Sequence, residues 1–376
     1  SVSRGLGDVY KRQAQLLVAG IEGTEPGEDA VQAVQGYQVG GVILFGRNVE
    51  SAEQLAALTN GLKELNGDYT PLFLCVDQEG GRVDRMPPEV SRTPSAWRVG
   101  QAMARGTAGA EYGVLLAEEC AAFGFNMDFA PSLDIWSNPD NTVIGDRAFG
   151  GDWEWVTDFG FRAVEAMAER GDVIPVVKHF PGHGDTAVDS HTALPVVDKT
   201  LEDLWQSELV PFDMVLSGQF WGEPVMEPAP AVMVAHILLS QIDPDNPASL
   251  SPEVVTGLLR EEMGYEGVVC TDDLTMGAIS NTYGMGEAAV LAVEAGCDLL
   301  LVCHGADNLA AAHAALVEAV ESGRISMERL DESVYRVLSL KAVYGLSNAP
   351  VEAPDIEALN DRIAALERSI EADTSQ

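Results

Sequence analysis

Short apolar, β-branched runs recur along the chain and alternate with longer segments whose apolar residues return every three or four positions. The runs are "GGVILFG" (40–46), "PLFLCVD" (71–77), "FGFNMDFAPSLDI" (123–135), "VIPVVKHF" (173–180), "AVMVAHI" (231–237), "GVVCTDD" (267–273) and "CDLLLVC" (297–303). They read as buried strands. The segments between them, such as "SAEQLAALTNGLKELN" (51–66) and "GEAAVLAVEAG" (286–296), read as helices. "TLEDLWQSELVPF" opens on Thr200 with Asp203 three positions on, a variant of the helix capping box. Repeated strand–helix alternation predicts a parallel sheet with helices outside it.

The strand ends select the architecture. Nearly every run finishes in polar, glycine-rich sequence: "FGRN", "VDQEGGR", "SLDIWSNPDN", "KHFPGHGD", "AHI", "TDDL", "CHG". In a (β/α)8 barrel all strand C-termini open onto one face, where the active site is assembled. A doubly wound sheet is the alternative, but no G-x-G-x-x-G follows the first strand. The expectation is an α/β fold, a single (β/α)8 TIM-type barrel over residues 14–347, with no second C-terminal sandwich domain. After "SNAPVEAP" (347–354), residues 348–376 read as a linker and a short helix with Ile356, Leu359, Ile363, Leu366 and Ile370 spaced 3-4-3-4. Two heptads are short for a coiled coil. Docking on the barrel wall is expected ahead of dimerisation, which makes the chain a monomer or weak dimer.

Composition narrows the partners. The chain has 376 residues and a formal net charge of −37, from 59 acidic and 22 basic residues. Nucleic acid and anionic membrane, which need a basic surface, are excluded as partners. Lysine is scarce, limited to Lys11, Lys63, Lys178, Lys199 and Lys341, and such an acidic surface suggests adaptation to high salt. No apolar run reaches the roughly 18 residues of a membrane span. The start, "SVSRGLGDVYKRQ", has no apolar signal region, so the expected compartment is the cytoplasm. That start (1–13) is also atypical beside the rest and looks foreign to the fold. Five cysteines, Cys75, Cys120, Cys270, Cys297 and Cys303, form no C-x-x-C pair and read as buried thiols in a reducing compartment.

The chemistry concentrates at strand ends. Asp272 and Asp273 follow an apolar strand. Neighbouring strand residues point to opposite faces, so one of the two enters the barrel mouth. A carboxylate there can serve as nucleophile, base or metal ligand, and the other can cap the next helix. "KHFPGHGDTAVDSH" (178–191) carries three of the six histidines in a proline- and glycine-rich loop. In it, Asp189 lies two residues from His191. A carboxylate on one imidazole nitrogen leaves the other for proton transfer. His179, His183, Asp185, Asp189 and His191 include enough ligands for a metal, but no H-E-x-x-H spacing is present and Lys178 adds a cation, so no metal or cofactor is expected. Asp77, Arg82, Arg85 and Arg147 end other strands and suit a polyhydroxylated ligand. His236 reads equally as a mouth residue or a core histidine, and His313 as an ordinary helix histidine.

Together, "KHFPGHGDTAVDSH", "VDQEGGRVDR", "NPDNTVIGDRAFG" and "GVVCTDDLTM" resemble the β-N-acetylglucosaminidases of glycoside hydrolase family 3, in order, from about Gln15 to Leu346. The resemblance implies a retaining hydrolase. In it Asp272 matches the nucleophile, His191 the general acid/base and Asp189 its orienting partner. Asp77, Arg85, Arg147, Lys178 and His179 match residues that hold the N-acetylglucosamine (GlcNAc). The implied partner is a small carbohydrate: a GlcNAc-containing muropeptide from peptidoglycan or a chitooligosaccharide. An imidazole, unlike a carboxylate, carries no negative charge when acting as base, so phosphate stays open as an acceptor beside water. A family 3 β-glucosidase or xylosidase, and a catalytically silent GlcNAc-binding barrel, are the other readings. The segment "SGQFWGEPVMEPAP" (217–230) is longer than the usual helix-to-strand connection and is expected away from the site.

Overall fold

The computed structural model describes residues 9–102, 105–186 and 194–374. Eight parallel strands close a barrel: β1 (Leu17–Gly20), β2 (Gly41–Ile43), β3 (Phe73–Val76), β4 (Met127–Asp128), β5 (Ile174–Phe180), β6 (Ala231–Val234), β7 (Val268–Asp273) and β8 (Leu299–Val302). Each strand pairs with its neighbour in sequence, and β8 closes on β1 through Leu17↔Leu300 and Val18↔Leu301. The (β/α)8 barrel expected from the alternation is therefore present.

Side-chain alternation builds two apolar layers. Phe73, Cys75, Ile174, Val176, Ala231, Met233, Val268, Cys270, Leu299 and Leu301 fill the barrel interior. Their neighbours Leu74, Val76, Val177, Val232, Val234, Val269, Leu300 and Val302 face the helices. Followed upward, the inward register of β3 continues to Asp77 and Glu79, that of β5 to Lys178 and that of β7 to Asp272. The same alternation that packs the core thus aims these groups into the mouth. The register slips between Val177 and Phe180, where β5 meets β6, and Lys178 and His179 both reach the cavity.

Below the site, the Lys341 side chain plugs the barrel floor. Its Nζ donates to Gln15 Oε1 (3.0 Å) and the Gly40 carbonyl (2.8 Å) and sits 4.7 Å from the Phe73 ring centroid. Burial drives its pKa down to about 7. Lys63, Lys178 and Lys341 are all buried, so three of the five lysines lie away from the surface.

Residues 9–13, set apart on sequence grounds, belong to a helix (Val9–Ala14) whose Gln13 is buried beside His313. The helix Ile356–Thr374 lays Leu359, Ile363, Leu366 and Ile370 inward, and Arg362 reaches Glu118 of the helix Arg105–Ala122 (3.4 Å). Its apolar row is covered by the barrel wall, as the 3-4-3-4 spacing predicts. Thr200 and Asp203 form the expected reciprocal cap. The long connection before β6 forms a small hairpin, Gln219–Phe220 with Glu223–Pro224, whose Phe220 packs on Phe161 and Trp221 on Trp153. None of its residues lines the cavity described next. No helix among the described residues is long and apolar enough to cross a membrane.

Candidate active site

The strand ends enclose a cavity of about 210 Å3, lined among others by Asp77, Glu79, Arg85, Arg147, Lys178, His179, His183 and Asp272. Six of the eight residues singled out in the sequence, Asp77, Arg85, Arg147, Lys178, His179 and Asp272, meet here. The other two, Asp189 and His191, lie outside the described residues.

Lys178 is the hub. Its side chain is 1% exposed, and Nζ lies 2.6 Å from Asp77 Oδ1 and 2.5 Å from Glu79 Oε1. Burial pulls its pKa down, but the two carboxylates outweigh that and raise it. Arg147 grips Glu79 with both arms, Nε to Oε2 and Nη2 to Oε1, each 2.8 Å. Burial raises the Glu79 carboxyl, yet Arg147 and Lys178 bring it well below the ordinary carboxylate range. Both Glu79 oxygens are engaged, by the two arms of Arg147 and by Lys178, so it organises the cations. Sequence reading passed over it, although it sits two residues from Asp77 and shares its inward register.

His179 continues the network. Its Nδ1 lies 2.6 Å from Asp134 Oδ2, and its Nε2 lies 3.2 Å from Arg147 Nη2. A carboxylate only accepts and a guanidinium only donates, so the partners assign the neutral Nδ1–H tautomer. Asp134 also accepts from the Ser132 hydroxyl (2.9 Å) and the His183 amide (2.6 Å). Burial would raise its pKa, but the His179 ring and His183 hold it down to about 2. Asp134, in "SLDI", is a second site residue that the sequence reading did not single out. Gly184 lets this loop close-pack: a Cβ there would stand 1.7 Å from the Ile135 carbonyl oxygen.

The Asp272–Asp273 pair divides its labour as strand geometry requires. Asp272 Oδ1 accepts the Asp273 amide (2.8 Å). Burial pushes the Asp272 carboxyl up, while the His236 and His179 rings, that amide and the Lys178 ammonium bring it below its ordinary value. Asp273 instead ties the turn together, accepting from Thr275 N (2.9 Å), Thr275 Oγ1 (2.6 Å) and Cys303 N (3.1 Å). His236 is a buried core histidine. It donates from Nε2 to the Asp273 carbonyl (2.9 Å) and accepts from Ser249 at Nδ1 (2.7 Å).

Two arginines from one motif part company. Arg82 donates to the carbonyls of Thr142 (2.7 Å) and Ile144 (2.9 Å) and pairs with Asp146 (2.9 Å), which makes it a staple between loops. Arg85 lines the cavity, and its buried Nε has no hydrogen-bond partner among the described residues. The Arg85 amide donates to Gln78 Oε1 (2.8 Å), and Gln78 Nε2 donates to the buried Glu119 (2.9 Å), which also accepts from Thr93 (2.6 Å). Burial raises Glu119 to about 8. Its raised pKa means that the folded state holds a proton the unfolded chain has lost. Stability therefore falls as pH rises from about 4.5 toward 8. Glu119→Gln is expected to flatten that fall by on the order of 3 kcal/mol, read from urea unfolding at pH 5 and pH 8.

The geometry defines a polar, charge-lined cavity at the barrel mouth, and the chain is a member of glycosyl hydrolase family 3: residues 9–340 match the family's "Glycosyl hydrolase family 3 N terminal domain". It is 34% identical to Beta-hexosaminidase A of Pseudoalteromonas piscicida over 346 residues, 85% of this chain and 56% of that protein. The chain thus spans just over half the length of that relative. It is 38% identical to a Beta-hexosaminidase of Alkalilimnicola ehrlichii over 293 residues, covering 77% of this chain and 80% of the other. A solved family 3 β-N-acetylglucosaminidase from Paenibacillus sp. str. FPU-7 superposes with a TM-score of 0.89 at 41% identity, over 96% of this chain and 68% of that one.

Proposed function

We propose that this protein is a retaining, exo-acting β-N-acetylglucosaminidase that removes terminal β-linked GlcNAc from peptidoglycan-derived muropeptides or chitooligosaccharides. The observation that carries the reading is Asp272, a carboxylate held below its ordinary pKa on the wall of a cavity of sugar dimensions. Beta-hexosaminidase names among the relatives support the same substrate class.

In the proposed sequence, Asp272 attacks the anomeric carbon while the glycosidic bond breaks. Oδ1 is engaged by the Asp273 amide, so Oδ2 is the attacking atom. The leaving oxygen takes a proton from His191, oriented by Asp189. Water then attacks the glycosyl–Asp272 ester, gives its proton to His191 and frees both sugar and carboxylate. Asp77, with three of its four lone-pair sites beyond Lys178, accepts sugar hydroxyls. Arg85 and the Lys178–His179–Arg147 row orient the ring and its acetamido group. The five buried free thiols suit a reducing compartment, the cytoplasm, and the covered C-terminal helix suits a monomer.

The test is release of nitrophenol from its β-N-acetylglucosaminide, with the β-glucoside and β-xyloside as controls. Turnover confined to the GlcNAc substrate supports the reading; preference for glucoside or xyloside overturns it. EDTA is expected to leave the rate unchanged, because no step uses a metal. Because an imidazole base carries no negative charge to repel it, phosphate as acceptor is the second reading. Added phosphate would then speed turnover and yield GlcNAc-1-phosphate in place of GlcNAc.

A further inference from the structure

The rim of the cavity carries two rings that have no part in the steps above. Phe45 follows β2 and continues the inward register of Ile43; His304 follows β8. Both line the cavity, with ring centroids 5.6 Å apart and planes 26° from parallel. The His304 side chain is 55% exposed, an open ring surface at the mouth. It stands beside Asp273, with Nε2 3.8 Å from Oδ2.

The pair is held in place before any ligand arrives. Arg47 lies over Phe45 (4.7 Å to the centroid) and donates to His304 Nδ1 (3.3 Å), the Cys303 carbonyl (2.8 Å) and the Ile21 carbonyl (3.1 Å). Buried Asn48 accepts from the Phe45 amide (2.9 Å) and donates to the carbonyls of Ile21 (3.1 Å) and Gly23 (2.7 Å). Rings fixed in this way lose little freedom on binding. Hydroxyl-binding groups line the depth of the cavity, and at its edge stands the exposed His304 ring, stacked on the partly buried Phe45. Such a surface matches the C–H face of a pyranose, not its hydroxyls.

Resting on the glycosidase reading, we propose that Phe45 and His304 form the platform for the leaving-group sugar ring. They would make the enzyme prefer β-linked disaccharides to glycosides with a small leaving group. The test compares kcat/KM for di-N-acetylchitobiose with that for methyl β-N-acetylglucosaminide. In His304→Ala the ratio of the two is expected to fall about three- to tenfold relative to wild type. His304→Phe should restore it, because the platform needs a ring and not an imidazole. An unchanged ratio in His304→Ala, or an equal fall in His304→Phe, would overturn the platform. Wild-type protein inactive on both substrates would remove the glycosidase reading first, and the platform with it.

Discussion

Asp272→Ala is expected to lower turnover of nitrophenyl β-N-acetylglucosaminide by about 10^4-fold or more, with the protein still folded. The proposed reaction has no other route to a covalent intermediate, and the nearest carboxylates among the described residues are otherwise engaged. Asp273, adjacent in sequence, is tied to Thr275 and Cys303 in the turn. Asp77 and Glu79 are ion-paired to Lys178. Asp272 itself makes no ion pair among the described residues, so its removal leaves no cation stranded. The loss should therefore appear in kcat with an almost unchanged urea midpoint. A comparable loss of stability would assign Asp272 to the scaffold.

Glu79→Ala should do the opposite: it should unfold the protein more easily as well as inactivate it. Glu79 is the shared anion of Arg147 and Lys178, at 2.8 Å and 2.5 Å; Glu79 and Lys178 are buried and the Arg147 side chain is 13% exposed. Removing one member of a buried charged set leaves the others desolvated and unpaired, at a cost of about 3–5 kcal/mol. Asp77 still faces Lys178, which keeps the expected loss toward the lower end. Arg147 would lose both arms of its pairing and with them its hold beside His179. Urea unfolding at pH 7 measures the loss. Activity at a urea-free, fully folded temperature should still be down, because Arg147 and Lys178 no longer share a fixed position.

Much of this was legible from alternation alone. A period of two along β3 and β7 carries Phe73, Cys75 and Asp77, and Val268, Cys270 and Asp272, to the same inside face. Apolar strand interior and polar strand end follow from one rule. Helix signals worked for the same local reason: Thr200 with Asp203, and the row from Leu359 to Ile370, depend on residues within a turn or two. What stayed hidden depends on contacts across the barrel. Nothing local marks Glu79 as the partner of Arg147, 68 residues away, or Asp134 as the partner of His179, 45 residues away. Arg82 and Arg85 look equivalent in "GGRVDR", yet one staples loops and the other lines the cavity, because only tertiary packing separates them. His304 and Phe45 come from opposite ends of the sequence and become neighbours only because β8 closes near β2 through β1.

The central claim is that Asp272 becomes covalently bonded to the sugar. The direct measurement is intact mass and peptide mapping after incubation with a 5-fluoro GlcNAc glycosyl fluoride, whose intermediate forms faster than it hydrolyses. The account predicts a single-sugar adduct on the peptide carrying Asp272, absent in Asp272→Ala. An adduct on another residue, or none in a preparation that turns over the nitrophenyl substrate, would contradict it.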